Sequence, residues 1–266
     1  MYHRVMSFVA LYVLAMGIGL SLVTAHLSGS GGRGSAPRPR PHPVLTAATA
    51  LVSGQPAGVV GVDSLYTPTG SLSVLRTEGT GFVVPAPTST DPGRVLVATA
   101  AHVIGPASTS MRTIAVHVAG SRTAIAVASI VAYSRRWDLA LLSVPGLQGV
   151  TPLQLDTRDS VNSATATGIA EVDCVRGPSW AYQSFALSLL ANAAQTSDGR
   201  EGTDVTTQTV GALPGCSGGP ITMYMRSGDT FSGAVIGIVT AISTQPLGIV
   251  FIPASSIAHV IARDAS

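Results

Sequence analysis

From about residue 45 onward the chain is a succession of short β-branched runs separated by Gly, Pro, Ser and Thr. Gly58-Val59-Val60-Gly61-Val62, Gly81-Phe82-Val83-Val84, Val95-Leu96-Val97-Ala98 and Thr113-Ile114-Ala115-Val116-His117-Val118 come first. Ala124-Ile125-Ala126-Val127, Leu139-Ala140-Leu141-Leu142-Ser143-Val144 and Val235-Ile236-Gly237-Ile238-Val239 follow. Branched side chains are stiff in a helix and pack well on a pleated surface. Short strands at such spacing predict an all-β barrel or sandwich. Only the end reads differently. In Ser255-Ser256-Ile257-Ala258-His259-Val260-Ile261-Ala262, residues 257, 260 and 261 share a helical face, with Ser255 as N-cap. There is no repeat of fixed short period and no coiled coil. The 266 residues hold one large domain or two small ones. With 46% hydrophobic residues but 5% aromatics, the core must be Val, Ile, Leu and Ala.

Charge excludes one class of partner. Charged residues make up 11% of the chain, too few for disorder or for wrapping nucleic acid. All 15 basic residues are arginine, and Arg4, Arg33, Arg38 and Arg40 precede residue 45, where there are no acids. The remainder sets 11 Arg against 13 Asp and Glu, a formal charge of −2. A basic nucleic-acid footprint is absent from it.

The N-terminus reads as a targeting segment, residues 1–27. A short leader ending in Arg4 precedes 19 uncharged residues, Val5 to Val23, and Val23-Thr24-Ala25 has the small residues of a cleavage site. The length suits a membrane span, and the flank suits a cleaved signal peptide. Both readings put the rest of the chain outside the cytoplasm, secreted or membrane-anchored. Residues 28–44, rich in Gly and then in Pro-Arg, form a spacer, and the linker and its lead-in extend over 28–54.

Three segments carry chemistry. In Gly215-Cys216-Ser217-Gly218-Gly219-Pro220 a serine between glycines presents a hydroxyl on a tight turn whose N–H groups can bind an anion. Ala98-Thr99-Ala100-Ala101-His102-Val103 puts a histidine just after an apolar strand, and Trp137-Asp138-Leu139 puts an aspartate at the mouth of another. A base must take the serine's proton, and a buried carboxylate must hold that base in the right tautomer. Taken alone, Asp138 reads as a strand-end carboxylate and His102 as a satisfied buried histidine. All three in the order His, Asp, Ser make coincidence a poor account. His117 reads as a surface residue of an alternating strand, and His259 as structural. No His, Cys or acid cluster has metal-ligand spacing, and no cofactor is implied. The turn also fits G-x-S-x-G, the nucleophile elbow of α/β-hydrolases. That fold needs an acid and then a histidine after the serine. Only Asp229 and His259 could serve in that order, in a tail of 49 residues too short for the remaining strand-helix units. Cys216 is a poor nucleophile candidate because Ser217, not Cys216, directly precedes Gly-Gly.

On these motifs the chain resembles the chymotrypsin-fold serine peptidases. Asp138-Leu139-Ala140-Leu141-Leu142, Val235-Ile236-Gly237-Ile238-Val239-Thr240-Ala241-Ile242 and Gly248-Ile249-Val250-Phe251-Ile252-Pro253 are most similar to the bacterial HtrA/Deg-like branch, its protease domain without a PDZ module. The resemblance implies two six-stranded antiparallel β-barrels, about 55–150 and 151–255, with a C-terminal helix over about 255–263. It implies His102 as general base, Asp138 as its orienter and Ser217 as nucleophile, with the N–H groups of Gly215 and Ser217 as oxyanion hole. It further implies that Thr240, Ala241 and Ile242 pair with substrate backbone. Gly211, Ala212 and Ile242 would wall an uncharged pocket that prefers small or medium apolar residues before the cut. The implied partner is a protein or peptide. The alternative is a catalytically silent homologue that binds peptide in the same cleft.

Cys174 and Cys216 are the only cysteines. An even count in an exported chain suggests a disulfide, with two buried free thiols the other option. Trypsin-like relatives usually carry aspartate, and HtrA-like ones asparagine, where this chain has Cys216. The resemblance puts Cys174 in a loop early in the second barrel, near the turn before the serine. A Cys174–Cys216 bridge would tie that turn down and could make activity redox-dependent.

Overall fold

The computed structural model describes residues 58–86, 94–147, 150–157, 169–195, 201–206, 214–227, 230–244 and 247–264. The proposed targeting segment, its linker, Gly211 and Ala212 lie outside these residues. No helix among the described residues is long and apolar enough to cross a membrane.

Among the described residues there are twelve strands, one 3-10 turn and one α-helix. The first six are β1 (Val59–Pro68), β2 (Leu75–Val84), β3 (Arg94–Ala100), β4 (Thr109–Val118), β5 (Ala126–Ser134) and β6 (Leu139–Pro145). The second six are β7 (Ile169–Arg176), β8 (Ala181–Gln195), β9 (Glu201–Thr206), β10 (Pro220–Ser227), β11 (Thr230–Thr244) and β12 (Leu247–Pro253). The helix α1 (Ala254–Asp264) follows β12 directly. Each set of six closes into a barrel, ordered β1-β2-β3-β6-β5-β4 and β10-β11-β12-β9-β8-β7. Every named strand pairing is antiparallel. This is the expected chymotrypsin-type architecture.

Burial on both faces explains the unbroken apolar runs. On β6, Ala140, Leu142 and Val144 fill the first barrel's interior. The alternate residues Leu139 and Leu141 face a second cluster with Val235, Ile238 and Ile252 of the other barrel. β3 divides the same way, Val97 inward and Leu96 and Ala98 outward. A strand covered on both sides needs no polar alternation. Ile257, Val260 and Ile261 of α1 complete the second cluster, as their spacing predicts. Each such burial contributes about 2 kcal/mol.

Three details differ from the sequence reading. The helix starts at Ala254, so Ser255 lies inside its first turn and is not the N-cap. β5 starts at Ala126 and runs seven residues past the predicted segment, to Ser134, because Ala128, Ile130 and Tyr133 also pack on the first core. His117 is buried, 6% exposed, not a surface residue. Its ring stacks on Trp180, centroids 4.3 Å apart and 16° between planes.

That stack docks the barrels together. Trp180 sits in the turn between β7 and β8, and its carbonyl accepts the Gly120 N–H at 2.9 Å. Its ring occupies the space above Gly61, where an added Cβ would lie 2.2 Å from the Trp180 ring. Gly61 pairs with His117 across β1 and β4, so the bare glycine makes room for the indole beside the imidazole. Neither imidazole nitrogen has a hydrogen-bond partner of normal geometry. Burial therefore pushes the His117 pKa below its ordinary value, and the Asp63 carboxylate only partly offsets this. The unfolded chain then takes up the proton first as pH falls. The stabilisation is complete above about pH 6.5 and declines as pH drops below it. The expected result is a smaller loss of Tm between about pH 7.5 and about pH 5 in His117→Phe than in the native protein. Equal losses in the two proteins would remove this role.

Candidate active site

The catalytic candidates come from strand ends at the barrel junction. β3 ends at Ala100 and passes into a 3-10 turn, Ala101–Ile104, which carries His102. The chain turns between β5 and β6 at Asp138, whose φ of +47° is left-handed. Aspartate tolerates that region better than most residues. The turn aims the carboxylate at the histidine. Oδ2 lies 2.7 Å from His102 Nδ1, and Oδ1 accepts the His102 backbone N–H at 2.9 Å. The Asp138 carbonyl accepts the Ala101 N–H at 2.8 Å. Asp138 is 9% exposed, while the His102 side chain is 46% exposed. The carboxylate is thus sheltered and the imidazole faces outward, the arrangement a base oriented by a carboxylate needs.

Ser217 sits in a turn closed by Gly219 N–H donating to the Cys216 carbonyl at 2.8 Å. The first barrel holds this turn. Thr80 N–H donates to the Ser217 carbonyl at 2.8 Å, and Thr80 Oγ1 donates to the Gly215 carbonyl at 2.7 Å. Thr99 Oγ1 in turn donates to the Thr80 carbonyl at 2.7 Å. Gly218 has φ +84°, and a Cβ there would stand 2.1 Å from the Thr80 carbonyl and 2.9 Å from the Ala100 nitrogen. Only glycine lets the turn settle so close. It rests two residues before His102, although no hydrogen bond joins His102 to Ser217. Among the described residues, neither the Gly215 nor the Ser217 N–H donates to a partner.

Cys174 and Cys216 are bridged, with Cα atoms 4.9 Å apart. Cys174 lies on strand β7 rather than in a loop, because its side chain alternates inward with Ala170 and Val172 into the second core. Both sulfurs are fully buried. The bridge closes a sequence separation of 42 residues, for which loop-closure entropy gives about 4 kcal/mol of stabilisation. Cys174→Ala/Cys216→Ala is expected to unfold at lower denaturant by about that margin. Turnover should fall further than the folded fraction accounts for. Unchanged denaturation midpoints would contradict this.

The predicted substrate strand is partly described. β10 leaves β11 at the Pro220–Ile238 pair, whereas β12 follows β11 to Thr244. One edge of residues 240–242 therefore has no strand partner among the described residues. Thr240 is 4% exposed and donates to the Val250 carbonyl at 3.2 Å, and Ala241 is half-buried. Among the described residues no three His, Cys, Asp or Glu form a metal-binding group. His259 is exposed on α1, away from this constellation in the chain and among no cluster with it.

Sequence reasoning missed Thr80, Thr99 and Arg176. Arg176 donates through Nη1 to the Pro214 carbonyl at 2.8 Å and through Nε to Gln183 at 2.7 Å. All three act through backbone groups distant in sequence, so no local motif announces them.

Residues 79–228 match the family model described as "Trypsin-like peptidase domain". No curated protein matches the chain. Among solved structures, the active form of the Rv3671c protease from M. tuberculosis is similar at 22% identity and TM-score 0.52, over 91% of this chain and 95% of that one. Deg5 is similar at 17% identity and TM-score 0.55, over 81% of this chain and 92% of that one. At these identities the likeness is one of fold.

Proposed function

Because the chain belongs to the trypsin-like peptidase domain family and is a serine protease, we propose that it cuts internal peptide bonds through an acyl-enzyme on Ser217. The supporting observation is the double hold of Asp138 on His102, which keeps Nδ1 engaged and leaves Nε2 available to the serine turn. In the proposed mechanism His102 takes the Ser217 proton as Oγ attacks the carbonyl. The N–H groups of Gly215 and Ser217 receive the oxyanion. His102 then protonates the leaving amine, and water repeats the sequence to free the acid. The His102–Ser217 hydrogen bond forms when substrate closes the site, since such bonds are often loose without it.

Substrate backbone lies along the open edge of Thr240, Ala241 and Ile242 as an added strand. The pocket walled by Gly211, Ala212 and Ile242 takes small or medium apolar residues before the cut, having no charge to pair with others. The protease domain acts outside the cytoplasm, either secreted or tethered by residues 1–27 beside the membrane. The buried disulfide supports that compartment. Within the trypsin-like family, the HtrA/Deg-like branch is the reading its motifs favour.

Cleavage of a mixed peptide library, with products mapped by mass spectrometry, tests this. Internal cuts after residues such as Ala or Val, absent with Ser217→Ala, are expected. Binding of peptides without any cut would replace the enzyme by a silent peptide-binding module.

A further inference from the structure

We propose that Arg176 is a positioning residue for the oxyanion hole: its guanidinium holds the Pro214 carbonyl and so aims the Gly215 N–H. This rests on the reading of Ser217 as nucleophile. The Gly215 N–H and the Pro214 carbonyl belong to one planar peptide, with the two groups pointing opposite ways. Fixing one fixes the other. The same holds for the Ser217 N–H, which shares a peptide with the Cys216 carbonyl.

The two peptides are fixed differently. The Cys216 carbonyl is held within its own turn by Gly219 N–H at 2.8 Å. The Pro214 carbonyl is held by a side chain from the end of β7, Arg176 Nη1, at 2.8 Å. Within this turn Thr80 secures the neighbouring Gly215 and Ser217 carbonyls but not that of Pro214. Arg176 is therefore the group that sets the first donor of the pair.

Arg176 is well placed for this. Nε is anchored by Gln183 at 2.7 Å, and the guanidinium carbon lies 5.5 Å from the Phe185 ring centroid. The stem packs on the Gly215 backbone, its Cβ 2.8 Å from where a Gly215 side chain would begin. A rigid fork serves Gln183 and Pro214 together with its geometry preset, whereas a lysine ammonium must be placed by a flexible stem. The guanidinium borders an open hollow of about 520 Å³ with Glu78, Gln183 and Pro214 on its walls.

The test measures kcat, KM and the second-order rate of labelling by a fluorophosphonate in Arg176→Met, Arg176→Lys and Gln183→Leu. A full oxyanion donor is worth about 100-fold or more, so losing its aim should cost about 10-fold or more in both kcat and labelling. KM should stay within about twofold and Tm within a few degrees, since an exposed contact is removed. Arg176→Lys should recover part of the loss, and Gln183→Leu should lose about threefold by freeing Nε, on the same logic. Should Arg176→Met not fold, the other two variants, which keep the cation, carry the test. Labelling of Arg176→Met at the native rate, or a loss confined to KM, would overturn the proposal. Native protein that is not labelled at all would instead overturn the Ser217 reading.

Discussion

Ser217→Ala should lower kcat by about a million-fold while leaving the fold intact. Nucleophile and base act as a unit in this chemistry, so His102→Ala and the double variant should fall to the same residual rate. That residue of activity should still exceed the uncatalysed reaction by about a thousand-fold, because substrate binding and the Gly215 and Ser217 N–H groups survive. Ser217 is only half-buried, and the turn is held by Thr80 through the Ser217 and Gly215 carbonyls. Removing Oγ disturbs none of these bonds, so Tm should be unchanged. Initial rates on a cleaved library peptide check this; an additive double variant would show that the two residues do not share a step.

Asp138→Asn should cost less but still about 10,000-fold in kcat. Both carboxylate oxygens are in use, Oδ1 on the His102 N–H and Oδ2 at Nδ1. An asparagine can keep one acceptor for the backbone N–H, but its amide nitrogen then faces Nδ1 as a donor. Nδ1 must accept, the proton moves to Nε2, and the imidazole can no longer take a proton from Ser217. Geometry survives while the tautomer is wrong. Deprotonation of the serine by hydroxide should partly restore the rate at high pH. A variant with native turnover would show that Asp138 only braces the turn at Ala101 and His102.

These same residues show what made the candidate site legible. Ser217, His102 and Asp138 sit in short turns at strand ends, where glycine and apolar flanks constrain the local sequence. The first barrel was read well because β3 and β6 are covered on both faces and so form unbroken apolar runs. β8 and β9 were not foreseen. Ala181–Gln195 mixes Ser, Gln, Asn and Ala, and Glu201–Thr206 is polar, so their pairing depends on neighbouring strands rather than on local propensity. The shared strand order of the two barrels was equally hidden, because topology repeats here without any repeat of sequence.

His117 shows the limit of alternation. Its neighbours predict an outward face, yet the outward face of β4 is where Trp180 lands, 63 residues later. The bonds from Thr80 to Gly215 and from Arg176 to Pro214 span 135 and 38 residues. A threonine and an arginine look ordinary in sequence because their partners are backbone carbonyls. The cysteine pair was different. With only two cysteines the pairing was determined once a bridge was allowed, but not that Cys174 lies within a strand.

The most direct test of the central claim is reaction of the purified protein with a fluorophosphonate, followed by peptide mapping. One adduct per chain is expected, on Ser217, with no adduct in Ser217→Ala and about 10,000-fold slower labelling in Asp138→Asn. A protein left unmodified with its Cys174–Cys216 bridge intact, or one modified at another residue, would contradict the account.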